Sequence, residues 1–323
     1  MNEFRLPLGD VVEGAIDVLT DALDGLFAVI RAVFAGFYDL VDLVLSTPPF
    51  WAVILVIAAV AWLARGWKLA VGTLLGMLVI VGVDQWDNAM DTLALVLVSS
   101  AIAVVIAIPL GILAARNDVA SRIIRPILDF MQTMPAFVYL IPALILFRVG
   151  VVPGIVATIV FAMAPGVRLT ELGIRGVDRE VVEAGQAFGS SPWRILRQIQ
   201  LPLAMPSIMA GVNQVIMLSL SMVVIAGMVG AGGLGGQVVQ SLTRIDVGLG
   251  FEAGLSVVIL AIVLDRITGA FGSGRRRVLP RLRRSDASDG TITDASKATA
   301  LAETDDSGLA LKHSAAKSPV GSK

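Results

Sequence analysis

Residues 183–202 read EAGQAFGSSPWRILRQIQLP, a polar, amphipathic segment set between long apolar runs. Val182, Ala187, Phe188, Trp193, Ile195, Leu196, Ile199 and Leu201 recur at roughly helical spacing, and Gly189, Ser190, Ser191 and Pro192 interrupt them. That pattern predicts two short helices joined by a turn. A loop with so much soluble-looking sequence in an apolar chain is built to dock on something; the plainer reading is an amphipathic loop lying on the bilayer.

The surroundings are those of a polytopic membrane protein. Of 323 residues, 56% are hydrophobic and 16% charged, and the mean hydropathy is +0.83, too apolar for a soluble domain. Apolar runs that cross or nearly cross a hydrocarbon core fall at about 49–65, 69–84, 91–115, 124–147, 150–167, 204–229 and 248–271, which predicts an all-α membrane fold of about seven spans. The first two are short and split only by Arg65, Gly66, Trp67 and Lys68, so they are expected to form a tight hairpin.

Arg65 and Lys68, Arg116, Arg122 and Arg125, the arginines from Arg168 to Arg197, and the Arg275–Arg284 cluster all fall on one side, whereas Asp84, Asp87 and Asp91 fall on the other. The positive-inside rule then puts the amino terminus outside and both the 183–202 loop and the carboxyl terminus in the cytoplasm. The location expected is the cell membrane.

Ahead of the first span, residues 1–48 read as an amphipathic helix rather than a signal peptide. Asp10, Glu13, Asp17, Asp21 and Asp24 follow at three- and four-residue steps with Arg31 on the same stripe, opposite Val12, Ile16, Leu19, Leu23, Leu26, Phe27 and Ile30. Such a helix lies along the interface or against the bundle; the more apolar Ala32–Val44 part leaves an eighth span as the minority reading. Residues 273–323 turn abruptly to RRRVLPRLRR and then to Ser, Asp, Thr, Ala and Lys without apolar period, which predicts a disordered cytoplasmic tail.

Chemistry is sparse. The chain has no cysteine, and its one histidine, His313, lies in the tail, so neither a metal site nor cysteine or histidine catalysis is expected. Gly230, Gly232 and Gly235 in GAGGLGG match G-x-G-x-x-G, but the run ends a membrane helix instead of opening a βαβ unit, so a tight turn with close backbone approach is the better reading. Pro135 and Pro142 interrupt the 124–147 run and free backbone carbonyls. Gln132 and Thr133 add polar atoms at this kink, as pathway lining or as helix-to-helix hydrogen bonds. Asp129 lies near the inner interface, where hydration alone would satisfy it. Phe130, Phe137 and Tyr139, with Met131 and Met134, are the aromatic and soft groups there. Asn213 and Gln214 are candidates for a dimer seam or the pathway. No Walker A pattern occurs, so the chain itself is not expected to hydrolyse ATP.

The loop resembles the cytoplasmic loop of binding-protein-dependent ABC importers, whose permeases carry E-A-A, three residues, G, nine residues, I-x-L-P. Glu183, Ala184, Gly189, Ile199, Leu201 and Pro202 fall on that pattern, and Gly185 stands where the family usually has a second alanine. The resemblance implies that residues 178–203 form a coupling loop seated in a groove of a separate ATPase subunit. It further implies that Gly230, Gly232, Gly233 and Gly235 form a turn at the outer gate.

QTMPAFVYLIPALILF at 132–147, VGVVPGIVATIVFAMAPGVRLT, GVNQVIMLSLSMVVIAGMVGAGGLG and DVGLGFEAGLSVVILAIVLDRIT make residues 49–272 similar to the permease subunit of glycine betaine/proline importers. That implies a type I importer transmembrane domain working as a homodimer with ABC ATPase subunits and an extracytoplasmic solute-binding protein, in contact with membrane lipid. No cofactor of its own (ATP being bound by the partner subunit) and no nucleic acid partner is implied. The translocation pathway candidates are then Gln132, Thr133, Met134, Pro135, Phe137, Tyr139, Asn213 and Gln214. The competing readings are a permease for methionine or another small organic solute and, from a different class, an ion-coupled secondary transporter, which would need ionisable residues at mid-membrane.

Overall fold

In a computed structural model, which describes residues 8–272, all regular structure is helical. The chain runs through α1 (Leu8–Ser46), α2 (Phe50–Arg65), α3 (Trp67–Gly82), α4 (Trp86–Arg116), α5 (Asp118–Thr133), α6 (Ala136–Phe147), α7 (Val151–Arg175), α8 (Arg179–Ala187) and α9 (Pro192–Ile195). A π-helical turn, Leu196–Gln200, leads into α10 (Leu201–Ala226); a 3₁₀ turn, Gly227–Val229, precedes α11 (Gly233–Arg244) and α12 (Val247–Gly272). The side chains of Asp10, Glu13 and Asp17, and residues 1–7 and 273–323 altogether, lie outside the described residues, and with them His313 and the arginine cluster of the tail.

The centre is a three-helix seam of α4, α7 and α10. Lipid tails are as apolar as leucine, so helices in a bilayer gain little from burying large apolar groups against each other and associate where small residues let their backbones approach. Gly166 of α7 does this twice: a Cβ there would come within 2.9 Å of Val215 on α10 and 3.0 Å of Ala107 on α4. Gly111 of α4 lies equally close to α7, where a Cβ would meet Thr170 at 2.5 Å. Leu95, Ile155 and Met222, fully buried, fill the seam.

Among the described residues, four continuous helical stretches are long and apolar enough to cross a membrane: Trp86–Arg116, Val151–Arg175, Pro192–Val229 and Val247–Phe271. They correspond to four of the runs expected from sequence. The run 124–147 is not a straight span but two helices, α5 and α6, bent by 100° at Met134–Pro135. α2 and α3 form the expected hairpin, turning at Gly66 with φ of 89°. Each has 16 residues, about 24 Å at 1.5 Å per residue, less than the roughly 30 Å of a hydrocarbon core.

Two contacts fix the polarity of the bundle. Arg175 Nη2 donates to the Ala114 carbonyl at 2.8 Å, joining the ends of α4 and α7 beside the 178–203 loop. At the opposite end Leu234 N–H donates to Thr92 Oγ1 at 2.8 Å, seating the glycine turn on the start of α4. α1 crosses that opposite end. Its Thr20–Ser46 part meets α2 at 101°, its Phe27 packs edge-on to Phe147 at the end of α6 with ring centroids 5.5 Å apart, and Arg31 donates to the Leu146 carbonyl at 3.4 Å. Phe27 and Arg31, one turn apart, thus both reach α6 instead of taking opposite faces, while Asp21 and Asp24 remain exposed.

Candidate functional site

The 178–203 loop is built from local rules that its sequence states openly. Asp178 caps α8, its carboxylate accepting from Glu180 N–H at 3.0 Å, and Glu180 in the first turn suits the positive end of the helix. α8 ends in a Schellman motif: Gly189 N–H donates to Gln186 O at 2.8 Å and Ser190 N–H to Gly185 O at 3.1 Å. Gly189 sits at φ of 74°, the left-handed conformation that only glycine adopts without steric cost. Ser191 then caps α9, accepting from Arg194 N–H at 3.4 Å, with Pro192 at the first helical position.

The second short helix expected from sequence is not a separate element. Pro192–Ile195 runs through the π turn into α10 as one helical stretch of 38 residues ending at Val229. Pro202 offers no N–H to the Gln198 carbonyl, and the helix widens just before it, with Leu201 N–H reaching back to Leu196 O. Ile199, Leu201 and Pro202 therefore belong to the base of a membrane helix, not to a free loop. Leu196 anchors that base in an apolar cluster with Ile174, Val177, Ala204 and Ile208, against which Leu201 packs.

The outer surface of the loop is open. Glu183 and Ala184 are exposed on α8, Phe188 is 90% exposed at the turn, and Trp193 is 59% exposed with Arg116 of α4 5.9 Å above its ring. Beneath it, a cavity of about 880 Å³ separates α8 from the ends of α4 and α7, bordered by Arg116, Arg175, Arg179, Glu183, Gln186 and Gln200. The loop thus presents an exposed aromatic tip, Phe188, at the end of a short helix with open space behind it.

At the bend of α5 and α6, Gln132, Thr133, Pro135 and Phe137 are exposed, while Met134 and Tyr139 are half-buried. Thr133 Oγ1 donates to the Phe130 carbonyl at 2.9 Å. Tyr139 donates its hydroxyl to the Met131 carbonyl and packs edge-on to Phe161 at 6.2 Å. Of the two polar residues on α10, Gln214 is exposed. Asn213 is tied to α12: it donates to Asp265 Oδ1 at 3.1 Å and accepts from the Thr268 hydroxyl. The structure thus does not gather the pathway candidates into one cluster within a single chain.

The glycine turn has the geometry its composition suggests. Gly230, Gly232 and Gly233 have φ of 84°, 77° and 62°, and a Cβ on Gly235 would lie 2.5 Å from the Val224 carbonyl oxygen. Sequence reading did not find α11, which follows at once and whose amino terminus is capped from a distance by Thr92. Gln237 on α11 donates to Asn88 Oδ1 at 3.3 Å.

Sequence reading also passed over Glu171, which is 3% exposed yet charged. It accepts from Ser121 and Arg125 and forms an ion pair with Arg175. The signal was its position one turn before Arg175, an acid-to-base step that stabilises helices. Asp129, which hydration alone could satisfy, is open to solvent and is also paired with Arg168.

Residues 107–277 match the family described as "Binding-protein-dependent transport system inner membrane component". The chain is 48% identical over 270 residues to the glycine betaine/carnitine transport permease protein GbuB of Listeria monocytogenes, covering 82% of this chain and 95% of that one. It is 47% identical over 264 residues to the glycine betaine transport system permease protein OpuAB of Bacillus subtilis, covering 82% and 94%. It is 48% identical over 265 residues to the glycine betaine/proline betaine transport system permease protein ProW of Escherichia coli K12, covering 80% and 75%. Among solved structures, an inward-facing conformation of the MetNI methionine ABC transporter superposes with a TM-score of 0.52 at 24% identity, covering 56% of this chain and 93% of that one.

Proposed function

The chain belongs to the family of binding-protein-dependent transport system inner membrane components, and from that premise we propose that it is the membrane permease of an ABC importer for glycine betaine and related quaternary ammonium solutes. The observation that carries the solute class is the near-half identity, over four fifths of the chain, to permeases named for glycine betaine. Likeness to the methionine transporter speaks for the fold alone.

As a permease subunit the chain is not itself an enzyme; ATP is bound by a partner ATPase. Two copies of the permease pair with two ATPase subunits, and an extracytoplasmic solute-binding protein delivers the solute. Residues 178–203 face the cytoplasm and seat in the ATPase, with Glu183 making polar contacts at the dock and Gly189 setting the turn. Exposed Phe188 supports this reading, because an isolated apolar tip at a helix turn gains by insertion into a partner's groove. Closure of the ATPase pair brings the two loops together, and the long α9–α10 rod carries the motion to the opposite end. There the turn of Gly230, Gly232, Gly233 and Gly235 serves as the outer gate. Gln132, Thr133, Met134, Pro135, Phe137 and Gln214 contribute to the pathway. Non-helical backbone at membrane depth is tolerated only when it is covered by protein or lines water, and the exposed bend at Met134–Pro135 therefore calls for the second copy.

Uptake of labelled glycine betaine into proteoliposomes holding this chain with its ATPase and receptor, with and without internal ATP, tests the reading. ATP-dependent, receptor-dependent accumulation is expected. Accumulation without ATP would overturn the class; failure with betaine, proline betaine, carnitine, choline and proline, alongside ATPase activity stimulated by another loaded receptor, would overturn the solute.

A further inference from the structure

α5 and α7 face each other through a polar ladder running in antiparallel order. Arg168 pairs with Asp129. Glu171 accepts from Arg125 Nη2 at 2.9 Å and from Ser121 Oγ at 2.7 Å. Arg175 meets Asp118 Oδ1 at 2.8 Å and reaches Glu171 Oε1 with its Nε at 3.0 Å. On each helix these residues recur at three- and four-residue steps, so each contributes a single stripe. Three guanidinium groups oppose three carboxylates, and the ladder is neutral as a whole.

Its centre is Glu171. The outer rungs are half-open to solvent, but the Glu171 side chain is only 4% exposed. A carboxylate so far from water is tolerable only while its hydrogen-bonding partners stay in place. The apolar contacts alongside it, Leu128 and Met131 of α5 against Ala164 and Val167 of α7, lack direction and allow sliding. Directional bonds to a buried charge fix register.

The ladder also has a position that matters. Arg175 is the last residue of α7, and only Gly176–Asp178 separate it from α8. α5, at the other side of the ladder, ends at the 100° bend into α6. We propose that Glu171 is a positioning residue for transport: it clamps α5 to α7 so that movement of the coupling loop is carried into the bent α5–α6 segment. The inference rests on the permease reading given above.

The chain contains no cysteine, so single cysteines introduced at Gln186 on α8 and, separately, at Ile141 on α6 can be spin-labelled. Distances between the two copies are then read by pulsed EPR in the assembled complex, with and without ATP. In the parent chain both distances change on ATP addition. In Glu171→Gln the Gln186 distance still changes, the Ile141 change is lost, and ATP consumed per solute transported rises about tenfold. The double variant Arg125→Gln with Ser121→Ala leaves Glu171 paired with Arg175 while removing both of its α5 partners, and it behaves the same way even where Glu171→Gln folds poorly.

Two variants that keep both distance changes and the parental ATP ratio overturn the proposal. Loss of both changes together also overturns it, because that marks a structural role only. A parent chain that moves neither label and transports no solute with ATP would instead bring down the permease reading, and the proposal with it.

Discussion

The Tyr139 hydroxyl donates to the carbonyl of Met131, and Met131 is the residue whose carbonyl Pro135, four residues on and without an N–H, cannot satisfy. The proline opens the helix and the tyrosine closes the polar account it leaves, so the bend between α5 and α6 is set by three residues within nine positions. An unmet carbonyl in the bilayer would have neither a helical partner nor water. This gives Tyr139 a structural task that a reading of it as a solute-facing aromatic had not included.

Tyr139→Phe should therefore destabilise the protein, by about 1–3 kcal/mol for an unsatisfied buried acceptor, read as a lower Tm of the solubilised chain. Adding Pro135→Ala restores an N–H, recovers stability and straightens the segment; uptake then falls although the protein is sound. Recovery of both stability and uptake would show that the bend is not needed.

Gly189 holds φ of 74° with nothing within 4 Å of where a Cβ would stand, so strain and not collision governs its replacement. Gly189→Ala should cost about 1–2 kcal/mol. Gly189→Asn should cost less, because asparagine visits this conformation more readily. Gly189→Leu, at normal expression, should leave ATP hydrolysis uncoupled from uptake in reconstituted vesicles; normal uptake would refute the role of the turn.

Gly185 is the one departure from the family's pattern, and it is buried against Ile199, whose Cδ1 lies 2.7 Å from the position of an added Cβ. That atom is the far end of a flexible side chain, so Gly185→Ala is expected to be mild. Gly185→Val should pry α8 from the base of α10, with a loss of about 1–3 kcal/mol from overpacking. Combining either with Ile199→Val, which removes Cδ1, should restore part of the loss in thermal stability.

Phe188→Asp should leave the Tm of the isolated chain unchanged, since the side chain is 90% exposed, yet abolish co-purification with the ATPase subunit. Retained binding would remove Phe188 from the dock.

At the opposite end, a Cβ on Gly227 would lie 2.2 Å from the Gly235 carbonyl carbon, backbone that cannot step aside. Gly227→Ala should sharply reduce folded protein. Thr92→Val, which removes the oxygen that Leu234 N–H uses, should lower the Tm by the equivalent of about 1–3 kcal/mol, and Thr92→Ser should not.

The 178–203 loop was legible because its determinants are local. Asp178, Gly189, Ser191 and Pro192 act on groups a few residues away, and a reader of sequence can see them. Its second half was misread as a free short helix because nothing local ends the helix after Pro192; the π turn before Pro202 lets it continue. α11 was missed because its start is glycine-rich and its cap comes from Thr92, 142 residues earlier. Glu171 was missed for the same reason, with Ser121 and Arg125 lying 50 and 46 residues away.

The sequence by itself determined that this chain lives in a membrane, where its long apolar runs begin and end, and how the polar loop between them turns. Those follow from hydropathy, helical period and the backbone limits of glycine and proline, all properties of short segments. Only the tertiary structure decided which faces of the helices meet, that one apolar run folds into a bent pair, and that a single buried carboxylate joins α5 to α7. The physical reason is that a residue facing lipid and one facing another helix are equally apolar, so hydropathy cannot separate them. Close approach of small residues and pairing of buried polar groups make the choice, and both depend on partners far apart in the chain.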